Sequence, residues 1–506
     1  MQNLNRLVQF SALLVLSFCA AVSTNAQSMI TISFGPMFTV NSTADTVDAN
    51  VGDGMCADSN GQCTLRAAIE ESNYEPNADA GITSKNMIIF ALSNPSVINL
   101  TLGELNITSG VWIFGTGARR LTVQRSTAQG TPNFRVFRIG PDAGGVEIRR
   151  LTIRNGNAGS GNGGGILLES DSGASLTDLA ITENSAANGG GIASTGRTLM
   201  MNRVLISLNA ASADGGGIFN QSLLPGPRIG NSTITGNFAV RGGGIYSSGM
   251  MWLVNDTITN NGASEVAVGI FSETGSVSVL NTLIGASPVT APSVLSGAFI
   301  SKGNNFVGDA RNSTGFTQGV NNDLVSGKKV IDPMFSLLLN NGGHTDTRAL
   351  LAGSPLIDAG NDCVLTATCD VPLFPGGLAS DQRGRYSRKN GNAVDIGAFE
   401  YGGGDPPETV SFGLAPGPGR PAFSGGAIAV LTSATTGEKF YRPVNPFGWF
   451  RFHHIPLDFY ILEVKAKRRL VNSGPIPIGL DEIPVILDPG ENVLNKNFNY
   501  RLIIDK

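Results

Sequence analysis

Apolar residues in this chain come in short stretches, each closed by Gly, Asn, Ser or Asp. Met87–Phe90, Val97–Leu100, Leu105–Ile107, Val111–Phe114, Leu121–Val123, Phe134–Ile139 and Val146–Ile148 are early members. Such lengths suit strands and are too short for amphipathic helices. From about residue 150 the pattern becomes a repeat. Gly163-Gly164-Gly165-Ile166 recurs at 189–192, 215–218 and 242–245, in steps of 26, 26 and 27 residues. A degenerate fifth copy is Val268-Gly269-Ile270. An Ile-x-x-Asn string precedes each of the last four copies: Ile181…Asn184, Ile206…Asn209, Ile234…Asn237 and Ile258…Asn261. Leu151–Asn157 is a looser, earlier member.

A strand this short cannot bury its inner face alone, so the units must stack on one another. About 25 residues suffice for one coil of three strands and three turns, which makes the stack a parallel β-helix. Inward Ile, Leu and Val form its apolar column. Gly at a fixed place supplies positive φ and lets one backbone pass close to the next. Asn at a fixed place adopts the left-handed region and hydrogen-bonds to the Asn above and below. Residues 86–285 make about eight coils, roughly 40 Å of stack at ~4.8 Å per strand. Leu65–Ser72 is the best helix in the chain, with Thr64 or a neighbour as its cap. It precedes the first coil and is expected to be the lid that protects the open edge.

Composition agrees. Gly contributes 66 of 506 residues and charged residues are only 15%, with a net charge of -4. This excludes a coiled coil, an acidic disordered chain and a collagen. A nucleic-acid binder is not expected from an acidic chain. Residues 1–26 read as a secretory signal: Arg6, an apolar run up to Val22, then Thr24-Asn25-Ala26 as a small-x-small cleavage site. The expectation is a secreted or bacterial cell-surface protein, monomeric, with no transmembrane segment in the mature chain. Cys19 leaves with the signal, and four Cys remain in two close pairs. Their even number in an exported chain favours disulfides among Cys56, Cys63, Cys363 and Cys369, local pairing over crossed pairing. Free or metal-binding thiols are the alternative.

Several strings carry a family resemblance. Cys63-Thr-Leu65-Arg66-Ala-Ala-Ile69-Glu-Glu-Ser-Asn73 resembles the CSLREAI motif of exported bacterial proteins, with Thr and Ala in place of the motif's Ser and Glu. Asp332-Pro-Met-Phe, Leu339–Thr345, Ala349–Gly360, Asp381-Gln-Arg-Gly384 and Asp395–Glu400 resemble the choice-of-anchor Q tail. The Gly-triplet units are similar to repeats of polymorphic outer-membrane proteins. Gly448–Phe452, Pro456 and Tyr460–Val464 resemble a carboxypeptidase regulatory-like domain. The resemblance implies an all-β chain: a right-handed parallel β-helix of the pectin-lyase-like kind at the cell surface, followed by a small antiparallel β-sandwich. The expected layout is a signal peptide (1–26), an N-terminal cap (27–85) and the β-helix (86–328). A C-terminal closure (329–400), a linker (401–408) and the sandwich (409–506) follow. The family carries no established reaction, so no catalytic residue transfers from it.

Enzymatic β-helices set the standard for candidate chemistry. A hydrolase needs two carboxylates several Å apart. The Asn-Thr-Asp, Asp-Asp, Gly-His-Gly and Arg-Ile-Lys strings of pectin hydrolases are missing, and the chain has three His: His344, His453 and His454. A lyase needs a Ca²⁺ cage and a basic proton acceptor. The repeats hold Glu169, Asp171, Asp178, Glu183, Asp214, Asp256 and Glu265. Asp178 and Asp256 precede equivalent strands, so they are the carboxylates expected to share a face if the chain is an enzyme; otherwise these acids are solvated turn residues. Asp48, Asp53 and Asp58 could offer oxygens to Ca²⁺, but their spacing fits no known Ca²⁺ loop. Asp381, Arg383, Arg385 and Asp395 read as an ion-pair set closing the C-terminal end. Lys465–Arg469 is a basic cluster suited to a solvated strand end. Asn231-Ser-Thr233 is read as a chance glycosylation string. The expected function is therefore a non-enzymatic scaffold or adhesin, with no cofactor and with a polysaccharide or surface partner. The alternative is a Ca²⁺-dependent polysaccharide lyase or a glycoside hydrolase on the same side face.

Overall fold

The computed structural model describes residues 36–402, apart from 75–84, 142, 170–171, 197, 223–224, 286–291, 328–329, 373–376 and 385, and eight strands between 410 and 505. The expected leader, residues 403–408 of the expected linker and the side chains of 465–469 lie outside the described residues.

The body is a parallel β-helix with three sheets, named A, B and C. Each full coil gives two strands to sheet A, separated by a bend, and one to sheet B. Four coils add a short strand to sheet C. The early apolar stretches form strands where the pattern puts them: Asn86–Phe90, Ser96–Leu100, Leu105–Ile107, Val111–Phe114 and Leu121–Arg125. The stack runs on past residue 285, as Phe306–Val307 and Leu324–Val325 add two more rungs to sheet B. The Ile of the Gly triplets, Ile166, Ile192, Ile218, Ile245 and Ile270, pair in register and are at most 1% exposed. Ile153, Ile181, Ile206, Ile234 and Ile258 form the facing column from sheet B.

Both corners of sheet B use the same two-residue turn. One residue lies in the left-handed region and the next turns inward. At the first corner the left-handed residues are Arg150, Asp178, Arg203, Asn231, Asn255, Asn281, Asn304 and Asn322, all with φ between 49° and 60°. Asn dominates because its short amide tolerates that region best among side-chain-bearing residues. At the second corner the repeat's Asn residues form the expected ladder but do not take the left-handed region themselves: Asn184, Asn209, Asn237 and Asn261 follow Glu183, Leu208, Gly236 and Asn260, which do. The side-chain amide of each of the first three donates to the side-chain oxygen of the next at 2.9–3.0 Å, and its backbone N–H donates to that oxygen at 3.0 Å. The amide also donates to a carbonyl of the preceding coil, such as Ile181 from Asn209. Donor and acceptor on one amide satisfy the buried polar groups of both neighbours.

The Gly triplets continue the parallel ladder where the coil is narrowest. A Cβ on Gly190 would stand 2.4 Å from the Ala210 carbonyl oxygen and 2.6 Å from that of Gly216. The first Gly of each triplet has φ between 62° and 68°, and in the degenerate copy Ala267 occupies that place at 52°. Conformation and close approach both select Gly, as the repeat predicts.

The lid is the helix Leu65–Tyr74, capped by the Thr64 hydroxyl, which accepts from the Ala67 N–H at 3.1 Å. Leu65, Ala68 and Ile69 join the main core. Asn73 bonds Asn106 and Thr108 of the first coils. Glu71 is fully buried and accepts from the N–H groups of Gly52 and Gly54, while Arg66 pairs with Asp45. Cys56–Cys63 and Cys363–Cys369 form local disulfides, each with a Cα separation of 5.0 Å.

The segment after residue 330 departs from an end closure. It runs back along the flank, over the outer face of sheet B, its first corner and the adjoining ends of sheet A strands, where Val254 and Leu280 pack on Val364, Leu378 and Val394. Asn304 donates to Ala359, Asn281 to Asn361, Asn255 to Asp395 and Asn231 to Ser380. Gln382 accepts from Thr233, Arg348 donates to Thr235, and Arg119 reaches Gly343 and Asp346. Leu350, Leu356 and Ile396 pack on Leu283 and Phe306 of sheet B. The physical reason lies in that face, where small Thr residues and outward corner amides stand in register and offer partners to an irregular backbone. Beyond 410, eight antiparallel strands form one sheet. Their order is Lys439–Pro443, Ile428–Ser433, Asp458–Ala466, Arg469–Ile478, Ile486–Asp488, Phe498–Asp505, Val410–Pro416 and Phe450–Ile455.

Candidate functional site

Asp178 and Asp256 do not share a face. Asp178 lies two residues before the strand Ala180–Thr182, whereas Asp256 directly precedes Thr257–Thr259. Asp178 is thus the left-handed corner residue equivalent to Asn255, and Asp256 is the inward-turning residue after it. Neither is solvated: both are at most 3% exposed. Asp178 receives the Arg203 guanidinium at 2.7 and 3.1 Å, and Arg150 stands 3.8 Å away. Burial pushes its carboxyl up, but Arg203, half-buried His344 and Arg150 outweigh burial and hold it below the usual range. Gly384 of the flank segment closes over this pair: a Cβ added to it would stand 3.1 Å from the Arg203 Nε and 3.7 Å from the Asp178 Oδ1. Asp256 accepts from the N–H groups of Ser232 and Val254, and burial raises its carboxyl well above the ordinary value. It is one rung of a second ladder, Ser232–Asp256–Thr282–Asn305–Asp323, in which each side chain accepts from the backbone of the rung before.

The remaining acids are mostly paired. Glu169 pairs with Arg138, Glu183 with Arg154, and Asp214 with Arg241. Glu265 is exposed, and Asp171 lies outside the described residues. Asp48, Asp53 and Asp58 accept from N–H groups of their own loop, at Asn50 and Ala57, Met55, and Asn60 and Gln62. Among the described residues no three His, Cys, Asp or Glu side chains are gathered to hold a metal ion. Asn231 is buried at the flank junction.

The expected ion-pair set is only partly a set. Asp381 and Arg383 pair closely, with the Arg383 guanidinium between the rings of Tyr386 and Phe399, 3.7 and 3.9 Å from their centroids. Asp395 instead accepts from the N–H groups of Asp358 and Tyr401, and Arg385 lies outside the described residues. Two groups that the sequence did not single out complete this buried cluster. Arg388 is fully buried and donates to the carbonyls of Asp395 and Gly397. Glu400 accepts from Asn390 and Asp395 N–H groups, and burial pushes its carboxyl up to about 7 against the pull of Arg388. The cluster locks the flank segment together.

Chemistry on an accessible face lies on sheet A. Alternation along its strands sends two rows outward. One is Leu167, Ala193, Phe219, Tyr246 and Phe271, the residue after each triplet Ile; Ala193, Phe219 and Tyr246 are buried in a small cluster of their own, and Leu167 and Phe271 are half-buried at its ends. Phe219 and Tyr246 stack with ring centroids 5.1 Å apart, and Phe271 follows at 5.6 Å. Arg241 lies over Tyr246 and Phe271, held by Asp214 at 2.7 and 2.8 Å and by Glu273 at 3.2 Å. The Tyr246 hydroxyl donates to Glu273, and burial with that carboxylate pushes the phenol up. Arg241 and Glu273 are about one-third exposed. The second row is Ser175, Met200, Arg228, Trp252, Ser278 and Ile300. The aromatic row was readable by aligning residues one place after each triplet. The second row was not, because the insertion around 221–227 breaks its spacing.

No protein-family model matches the chain, and no curated protein matches it. Among solved structures, the enzymatically active domain of bacteriophage CBA120 tailspike protein 2 aligns with a TM-score of 0.22 and 10% identity, over 81% of this chain and 72% of that one. A score that low bears on neither ligand nor reaction. No helix among the described residues is long and apolar enough to cross a membrane.

Proposed function

We propose that this chain is an exported surface or extracellular β-helix that binds glycans through the outer face of sheet A. The observation that carries the reading is the pair of outward rows: in one, half-buried Met200 and Trp252 flank Arg228, and in the other half-buried Phe271 lies beneath Arg241, which pairs with Glu273. Flat apolar side chains next to hydrogen-bonding groups suit sugars, which have apolar ring faces and hydroxyl edges. The contacts of segment 330–402 go to sheet B, its first corner and the adjoining ends of sheet A strands at Val254, Leu280 and Lys302, so its buried charges belong to the scaffold. Parallel rungs repeat the same side-chain position every ~4.8 Å, which suits an extended polymer. The signal-like leader and the CSLREAI-like lid support export, and the choice-of-anchor-like strings support attachment to a surface.

The test is binding of the purified chain to a panel of cell-wall, matrix and exopolysaccharide preparations, with Trp252→Ala and Phe271→Ala beside it. Binding to at least one preparation, weakened about tenfold by either substitution at unchanged melting temperature, is the expected result. A silent panel removes the basis for the reading.

A further inference from the structure

We infer that Arg228 and Trp252 form a subsite for a carboxylate-bearing sugar, so that the glycan bound by sheet A is acidic. This rests on the glycan-binding reading and names its ligand class. Arg228 and Trp252 are register partners on adjacent strands, both pointing outward and half-buried. Arg228 is the one charged residue on the rungs from Ser175 through Met200, Trp252 and Ser278 to Ile300; beyond Ser175 the row continues to Glu147, which pairs with Arg149. Other arginines on the outside of the coils are neutralised: Arg138 by Glu169, Arg154 by Glu183, Arg241 by Asp214 and Glu273. Arg228 makes no hydrogen bond or ion pair among the described residues, and its Nε is buried without an acceptor.

A guanidinium cannot shed its charge, so an unmet buried donor is costly until an acceptor arrives. Its planar fork fits a carboxylate in two parallel bonds. Trp252, one rung away, offers a flat apolar surface to the ring that carries the carboxylate, and Met200 flanks the other side. The acid of this row, Glu147, stands three rungs from Arg228 and is paired with Arg149, so no carboxylate on the adjoining rungs competes for the cation or repels an acidic ligand.

The experiment measures binding of the full chain to alginate, to its carboxyl-reduced product and to a sulfated neutral glucan. Wild type is expected to prefer alginate over the reduced polymer by about tenfold or more, and less so in high salt. Arg228→Gln is expected to erase that preference at unchanged melting temperature, with Arg228→Lys between the two. Equal binding of alginate and its reduced product, unaffected by Arg228→Gln yet lost in Trp252→Ala, overturns the subsite and leaves the glycan reading standing. Preference for the sulfated polymer overturns the carboxylate assignment. Failure of all three polymers and of the wider panel overturns the glycan reading, and the subsite with it.

Discussion

Asp178 and Arg203 occupy the same left-handed corner position on successive coils, and their side chains meet in a two-point ion pair at 2.7 and 3.1 Å. Both are under a tenth exposed, beneath Gly384 of the flank segment. Removing one partner leaves a buried charge without compensation. Asp178→Ala is therefore expected to cost about 3–5 kcal/mol in urea unfolding. Glycan binding by the protein that remains folded should not change, because the pair lies at the junction with the flank segment. A loss of binding at full stability would show that Asp178 has a functional role instead.

The Asn ladder predicts a second cost. Asn209 donates to Asn237 and Ile181 and accepts from both the backbone and side-chain nitrogens of Asn184. Asn209→Ala strands these buried partners, at about 1–3 kcal/mol each before relaxation. A net loss of about 3 kcal/mol by chemical denaturation is expected. A change under ~0.5 kcal/mol would mean that the ladder is decoration.

Gly190→Ala tests the narrow side of the coil. The new methyl would sit 2.4 Å from the Ala210 carbonyl oxygen, which is backbone and cannot swing away. Destabilisation of about 3 kcal/mol or more is expected. The reverse change, Ala267→Gly, relaxes a left-handed Ala at φ 52°. Gly also gains freedom in the unfolded chain, so a net change within ~1 kcal/mol is expected. Melting temperatures of the two variants separate steric clash from conformational preference.

Glu400 sets a pH dependence. Its carboxyl is raised by burial to about 7, above the ~4.3 of an unfolded chain. A raised acid favours the folded state below the unfolded value, and that contribution is lost as pH rises through about 7. Asp381 and Asp395, also raised by burial, act in the same direction. Asp178 acts in the opposite sense: its stabilisation is present above the unfolded value of ~3.9 and is lost as pH falls below it. Stability is therefore expected to fall between pH ~4.5 and 7, and to fall again in stronger acid. Glu400→Gln should flatten the neutral-side slope in melts recorded across pH. An unchanged slope would place the titration elsewhere.

The solenoid itself was legible in the sequence. A Gly triplet every 26 or so residues, an Ile after it and an Ile-x-x-Asn before it define strand, corner and close approach, because each arises within one coil and its neighbours. The lid was legible for the same reason, as Thr64 and Leu65–Tyr74 are local. The alignment of Asp178 with Asp256 was not, because a one-residue offset decides whether a side chain turns inward or outward. Only the backbone conformation of the corner reveals that offset. The partners of Asp178 and Glu400 were also hidden.

The sequence by itself determined a stacked β-helix, its register in the regular coils and the amide ladder that holds its second corner. Repetition made those features local. Only the tertiary structure decided which face the flank segment covers, which acids become buried scaffold and which side chains remain on the outer face of sheet A. Those outcomes depend on contacts between residues more than a hundred positions apart, such as Thr233 with Gln382 and Asn255 with Asp395. No spacing along the chain encodes which of two chemically similar polar faces an irregular segment will cover.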